Sequence, residues 1–503
     1  MMNGSSTGSL SPAQAARLQQ LWTLLLHLAE ASSLGALEQF VRVNSLEPTG
    51  SISTPAPGLS RRNSLFARSD TSRSRRSQEK RASVASISVY HTRLLQTFRD
   101  AGFTPAQTRN VRHFLALMSP EDVRFGILTA AKHESPDAFV LRFLRAAKWD
   151  VNQAVVQLLG AIVWRLKEMQ VDNVLLPGGE LSAAESEKDV SHSPGAQDAR
   201  GFMNQVRMGK GFVHGVDRMN RPMVLIRIRL HRPGDQSEAA LHRFITHLIE
   251  SARLVLSPPV ETATVIFDLT GFALANMDYS AVKFIIRCVE IYYPESVGLI
   301  LIHNAPRIFN GLSLPTALER ELTCAGVWKI IKPWIDPRLV GRIHFTRSVE
   351  DLENFIDRDQ IITELGGDED WEYEYIEPEE DENQAMSELA VRDTLLAERQ
   401  SLGEDFISAT SRWVSAAQTG DPIQMQEASI HREEIIEQIR LNYWNLDPYV
   451  RARNNLDRTG VIQEGGLVEM YPLSQPQTPL AVIQTAKVLQ VEHVRGRVKV
   501  VNV

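Results

Sequence analysis

Residues 292–306 read YYPESVGLILIHNAP, and the fold turns on how this stretch is read. Pro294 ends a helical pattern, and Val297 begins six apolar residues too few for a helix and rich enough in Ile and Leu for a buried strand. Three further runs share that character: PMVLIRI (222–228), ATVIFDL (263–269) and RIHF (342–345). Residues 238–256 and 277–292 lie between them with helical spacing, and Ser348 with Asp351 reads as a capping box opening another helix. Strand alternating with helix predicts parallel pairing with helices on the sheet. Near-continuous apolar strands predict that both faces are covered, or that one lines a cavity. Glu295 is then a carboxylate at the entrance to a buried strand, either solvated there or facing a pocket.

Outward from this core the chain changes character several times. With 503 residues it holds two to four domains, and 43% hydrophobic with 23% charged residues is an ordinary globular balance. The net charge of −7 gives no basic field and argues against nucleic acid. Two cysteines, Cys288 and Cys324, are too few for a disulfide scaffold or a thiolate metal site. The first residues lack a secretory pattern, and no apolar run reaches membrane-spanning length, so an intracellular chain without an integral anchor is expected.

Within residues 1–46, Ser11, Pro12 and Gln14 start a helix whose Leu18, Leu21, Trp22, Leu25 and Leu28 recur on one face. That face suits the body of the protein, a partner or a membrane surface; the scarcity of basic residues on the polar side weakens the membrane option. Residues 47–88 are Ser/Arg-rich and nearly devoid of large apolar groups, so a disordered basic linker is predicted. From Arg61 to Arg81 eight bases face two acids, and Ser64 and Ser83 each follow paired bases as candidate phosphorylation sites for a basophilic kinase.

Residues 89–170 read as a small helical module, with Ser119-Pro120, Ser135-Pro136 and Asp150 as helix starts. Residues 171–205, dense in Gly, Pro, Ser and charge, are expected to form a loop before an α/β lobe at 206–366. Ten acids and no base between Asp368 and Glu382 suggest a solvated spacer, 367–383. A helical region at 384–456 breaks near TGDP and ends with Tyr443, Trp444 and Tyr449 as packing anchors; residues 457–503 show no periodicity.

The chain lacks G-x-S-x-G, a phosphate loop and H-E-x-x-H, and its histidines are scattered. Asp268, at the C-terminal end of a strand, reads as a turn or cap group. Neither catalysis nor a metal site is expected.

Five segments in order, FLRAAKWDVNQAV (143–155), GVDRMNRPMVLI (215–226), IFDLTG (266–271), YYPESVGLILIHNAP and KPWIDPRLVGRI (332–343), resemble the CRAL-TRIO (Sec-fourteen-like) lipid-binding family over roughly residues 118–365. NYWNLDPYVRAR (442–453) and the stretch around IFDLTG are similar to a fungal subgroup, the CSR-type phosphatidylinositol transfer proteins. The resemblance implies an α/β lobe with a mixed, largely parallel sheet flanked by helices, preceded by a helical module and followed by a helical tail. It implies one lipid enclosed under a gating helix, extracted from and presented to membranes without covalent chemistry. No cofactor is implied beyond the bound lipid, and the partners are membrane phospholipids met transiently, from the cytoplasm, on endomembranes.

The family's inositol-phosphate site maps onto Lys148, Glu295 and Arg342. Ala147 stands where the family has a second base, and Leu339 where it has a threonine. These losses leave room for a neutral isoprenoid cargo such as a sterol or squalene-like lipid. An interaction scaffold with a vestigial pocket is the reading from another class; a nucleotide-dependent α/β enzyme lacks the phosphate loop it would need. Residues 312–326, LSLPTALERELTCAG, exceed the family spacing and read as a lineage-specific loop or a retained intron.

Overall fold

The computed structural model describes residues 10–29, 94–189, 193–306 and 327–471. Ser64, Ser83 and the 312–326 stretch lie outside them.

The first helix, α1 (Pro12–Ala29), starts as expected: the Ser11 amide donates to Gln14 Oε1 and the Gln14 amide to Ser11 Oγ. Its apolar face is buried, with Leu21 and Leu28 fully so, which makes it a helix docked on the protein's own body. Trp22 Nε1 donates to the buried carboxylate of Asp137 at 2.6 Å. The helical module follows as α2 (Pro105–Leu117), α3 (Pro120–Ala131), α4 (Pro136–Ala146) and α5 (Val151–Val163). Ser119, Ser135 and Asp150 each cap the helix they precede.

Residues 171–205 are mostly helical rather than a loop. After a wide turn, Val171–Leu175, come α6 (Leu176–Glu187) and α7 (Pro194–Arg207), the latter capped by Ser193 with Pro194 at its first position. Glycine and proline, with serine and charge, suggested a loop here, but they act at defined points. Gly179 holds φ +54°, and a Cβ there would lie 2.5 Å from that of Ala452. Ala183, Ala199, Phe202 and Met203 then bury a continuous face.

Five strands form one sheet in the order β1 (Gly211–Val216), β2 (Pro222–Arg227), β3 (Ala263–Asp268), β4 (Val297–His303), β5 (Ile343–Thr346). The β1–β2 pair is antiparallel; β2 to β5 run parallel. Period-two alternation separates the faces. Met223, Leu225, Ile266, Leu299 and Leu301 pack under Leu352, Ile356 and Ile361. On the other face Val213 and Val224 pack with Ala252 and Leu254 of α8 (Glu238–Leu254), while Val265 and Phe267 stay only partly buried. Ser348 makes no side-chain cap to the short helix after β5; Asp351 instead accepts from the Arg347 amide.

Residues 367–383 are not a solvated spacer. Their acids alternate with aromatic residues, and the aromatic side faces in: Trp371 stacks on His214 with centroids 3.7 Å apart, and the hydroxyls of Tyr373 and Tyr375 donate to the Val206 carbonyl and to Glu180. Net charge hid a period-two pattern. Two long helices, Leu389–Thr419 and Pro422–Val450, break at Gly420 as predicted. Tyr443 is buried and Trp444 stacks on His133, whereas Tyr449 is half-buried. Order continues past 457: Leu456, Val461 and Ile462 are buried against Val213 and Val224, and the described chain runs to 471.

Candidate functional site

The helix α9 (Tyr279–Arg287) does not simply stop at Pro294. It widens into a π-helical turn, Cys288–Tyr292, before Tyr293 leaves helical geometry. The wide turn places Val289, Glu290 and Ile291 on the wall of one pocket of about 350 Å³. Both tyrosines anchor it. Tyr292 stacks on Trp164 at 3.9 Å, and the buried Tyr293 hydroxyl donates to Glu250 Oε1 at 2.6 Å.

Glu250 is the centre of a buried ionic node. Lys132 Nζ and Arg165 Nη1 each lie 2.7 Å from its oxygens, and Arg253 Nη1 lies at 3.4 Å. Burial opposes its ionisation, but Arg165, Lys132 and Arg253 outweigh that and hold the carboxyl well below its ordinary range. Burial also pushes Lys132 down to about 8, against the pull of Glu250. The node ties the helical module to α8 and to the turn bearing Glu295.

The three residues singled out in the sequence meet in this pocket. Lys148 comes from the end of α4, Glu295 from the turn before β4, and Arg342 from the approach to β5, all lining the same cavity. Arg342 Nη2 donates to Glu295 Oε2 at 2.5 Å, and its Nη1 to the Val297 carbonyl at 2.6 Å. Lys148 and Glu295 both hold φ +55°, a left-handed conformation costing about 1–2 kcal/mol for a residue with a Cβ. Such strain persists where surrounding structure over-determines it, and is concentrated at binding sites.

Five polar pocket groups escaped the sequence reading, Gln153 on α5 among them. Arg338 and Asp336 sit on α10 (Pro337–Val340) and its cap. The Arg338 guanidinium donates to the Arg145 and Ala146 carbonyls at 3.0 and 2.8 Å, closing the end of α4, and also to Asp336. Glu290 Oε1 accepts from the Asp336 amide at 2.6 Å, and burial raises the Glu290 carboxyl. Gln157 lies on α5 beside them. Arg338 was visible only as the residue after the DP pair; Glu290 was hidden by the assumption of a regular α-helix, which would not turn three successive residues to one wall. Ala147 and Leu339 line the pocket too, so the two apolar substitutions fall inside the site.

Through Val289, Val297 and Leu339 the pocket wall runs into an apolar cluster on the sheet. Ile228, Val265, Phe267, Val282 and Ile286, all only partly buried, pack against Leu269, Ile300 and Ile302. Among the described residues no group of His, Cys, Asp and Glu could hold a metal, and no helix is long and apolar enough to cross a membrane.

Charged groups lining a pocket whose apolar wall runs into a cluster on the sheet suit an amphiphile, a molecule with an apolar body and a polar head. The chain belongs to the CRAL/TRIO family of lipid-binding proteins. The CRAL/TRIO domain model matches residues 206–313 and 323–367, and its N-terminal domain model matches 113–160. The first match passes over 314–322, inside the stretch that exceeds the family spacing. A CRAL-TRIO domain-containing protein of Schizosaccharomyces pombe is 38% identical over 343 residues, 68% of this chain and 69% of that protein. The phosphatidylinositol transfer protein CSR1 of Eremothecium gossypii is 36% identical over 329 residues, 65% of this chain and 69% of that one.

Proposed function

We propose that this protein is a non-enzymatic carrier that extracts phosphatidylinositol from membranes and presents or exchanges it. The observation that carries the reading is the meeting of Lys148, Glu295 and Arg342, from three distant segments, in one pocket whose apolar wall runs into a cluster on the sheet. A phosphoinositol headgroup needs cations for its phosphate and acceptors for its ring hydroxyls, and the pocket offers both. The phosphate takes the place of Glu295 as the anionic partner of Arg342, with Lys148 beside it. Arg342 thereby exchanges one charge-assisted contact for another, and Glu295 is released to accept from the ring. The acyl chains lie among Val265, Phe267, Val282 and Ile286, under a gate formed after β4.

The carrier works from the cytoplasm and visits endomembranes transiently. Phosphorylation of Ser64 or Ser83 by a basophilic kinase weakens contact between the basic linker and anionic lipid. A second reading, a neutral isoprenoid cargo, is favoured by Ala147 and Leu339 on the pocket wall and by the mutual neutralisation of Arg342 and Glu295.

Transfer of phosphatidylinositol between vesicles by the Lys148→Ala, Arg342→Ala double variant tests the proposal. A fall of about tenfold or more is expected, the worth of one or two charge-assisted hydrogen bonds at a partly exposed site. Unchanged transfer would remove these residues from the headgroup site.

A further inference from the structure

In the same pocket, among the described residues, a buried amide oxygen has no hydrogen-bond partner. Gln157 and Gln153 stand one helical turn apart on α5 and both line the cavity. The Gln153 carbonyl oxygen is engaged, accepting from Gln107 Nε2 at 3.4 Å. Gln157 Oε1 is buried and has no hydrogen-bond partner among the described residues. Two of the neighbouring donors are committed elsewhere: Arg342 to Glu295 and the Val297 carbonyl, Arg338 to Asp336 and the end of α4. A buried acceptor left unfilled is costly, and a ligand that supplies a donor recovers that cost.

We propose that Gln157 is a specificity-determining residue that accepts a hydrogen bond from a hydroxyl of a phosphorylated polyol headgroup. It supplies from α5 the neutral polar contact that Leu339 does not make. The inference rests on the headgroup reading of this pocket. It deepens that reading by naming what is discriminated: a hydroxyl-bearing headgroup fills the acceptor, whereas a choline headgroup carries neither O–H nor N–H and leaves it buried and empty. A site built around such an acceptor penalises the ligand that lacks the donor.

The test uses the full chain with Gln157→Met, close in shape and apolar, and Gln157→Glu, which keeps an acceptor oxygen. Each is assayed for extraction of phosphatidylinositol and of phosphatidylcholine from vesicles containing both, with Arg342→Ala measured alongside. Gln157→Met is expected to lower phosphatidylinositol extraction about three- to tenfold while leaving phosphatidylcholine extraction and the melting temperature unchanged. Gln157→Glu is expected to lose less than Gln157→Met. Loss by Arg342→Ala with none by Gln157→Met would overturn the role of Gln157 and leave the headgroup reading standing. No loss in either variant would overturn both. Equal loss for the two lipids, or loss that tracks a lower melting temperature, would make Gln157 a packing residue.

Discussion

Replacing Glu250 by glutamine keeps the side chain's shape and removes the one charge that holds the buried node together. Glu250 is fully buried and meets Lys132, Arg165, Arg253 and the Tyr293 hydroxyl at 2.7, 2.7, 3.4 and 2.6 Å. Arg165 keeps Asp172, and Arg253 keeps Glu134, but Lys132 has no second carboxylate within ion-pair distance among the described residues. Breaking a buried ionic cluster from one side costs about 3–5 kcal/mol, because the remaining charges stay in the interior without compensation. For a chain this long that is a fall in melting temperature of about 3–6 °C. Lys132→Met is expected to cost much less. Burial already pushes that amine down to about 8, so its charge is the least well compensated member of the node. Urea unfolding of the full-length variants, followed by tryptophan fluorescence, gives the comparison. A Glu250→Gln protein as stable as the parent, or a Lys132→Met protein less stable than Glu250→Gln, would refute the reasoning.

The same node sets an acid limit. Glu250 and Glu134 are both held below the unfolded-chain value of 4.5, their cationic neighbours outweighing burial. Their contribution is therefore complete above pH 4.5 and falls away as pH drops below it towards the folded values; unfolding midpoints measured from pH 7 down to 3 should decline there, and less steeply in Glu250→Gln. Trp22→Ala should destabilise the body by about 3–5 kcal/mol, since it removes a buried ring and a hydrogen bond to Asp137. An unchanged unfolding midpoint, with vesicle binding reduced instead, would restore α1 as a membrane helix.

Much of this architecture could be read from residues 292–306 outward, because strand composition and helix caps are local signals. Ser119, Ser135 and Asp150 cap helices through side chains two or three residues from the backbone they serve. The meeting of Lys148, Glu295 and Arg342 was legible only through matched motifs, since nothing local joins positions so far apart. Three kinds of signal were lost. Gly and Pro in 171–205 suggested a loop, although Gly179 serves a single close approach to Ala452 and Pro194 begins a helix. Net acidity in 367–383 masked Trp371, Tyr373 and Tyr375 packing inward. The node around Glu250 gathers charges from the C-cap of α3, the π-helical turn Trp164–Glu168 after α5, and α8, and a charged residue in a helical sequence carries no sign that it will be buried.

The cargo proposed for the pocket is a phosphoinositol lipid. Mass spectrometry of lipid that co-purifies with the intact protein from cells tests it most directly. Phosphatidylinositol, enriched over its share of cellular phospholipid and lost in the Lys148→Ala, Arg342→Ala variant, is the result expected. A sterol or squalene-like molecule in its place, or a pocket that carries no lipid, would contradict the account.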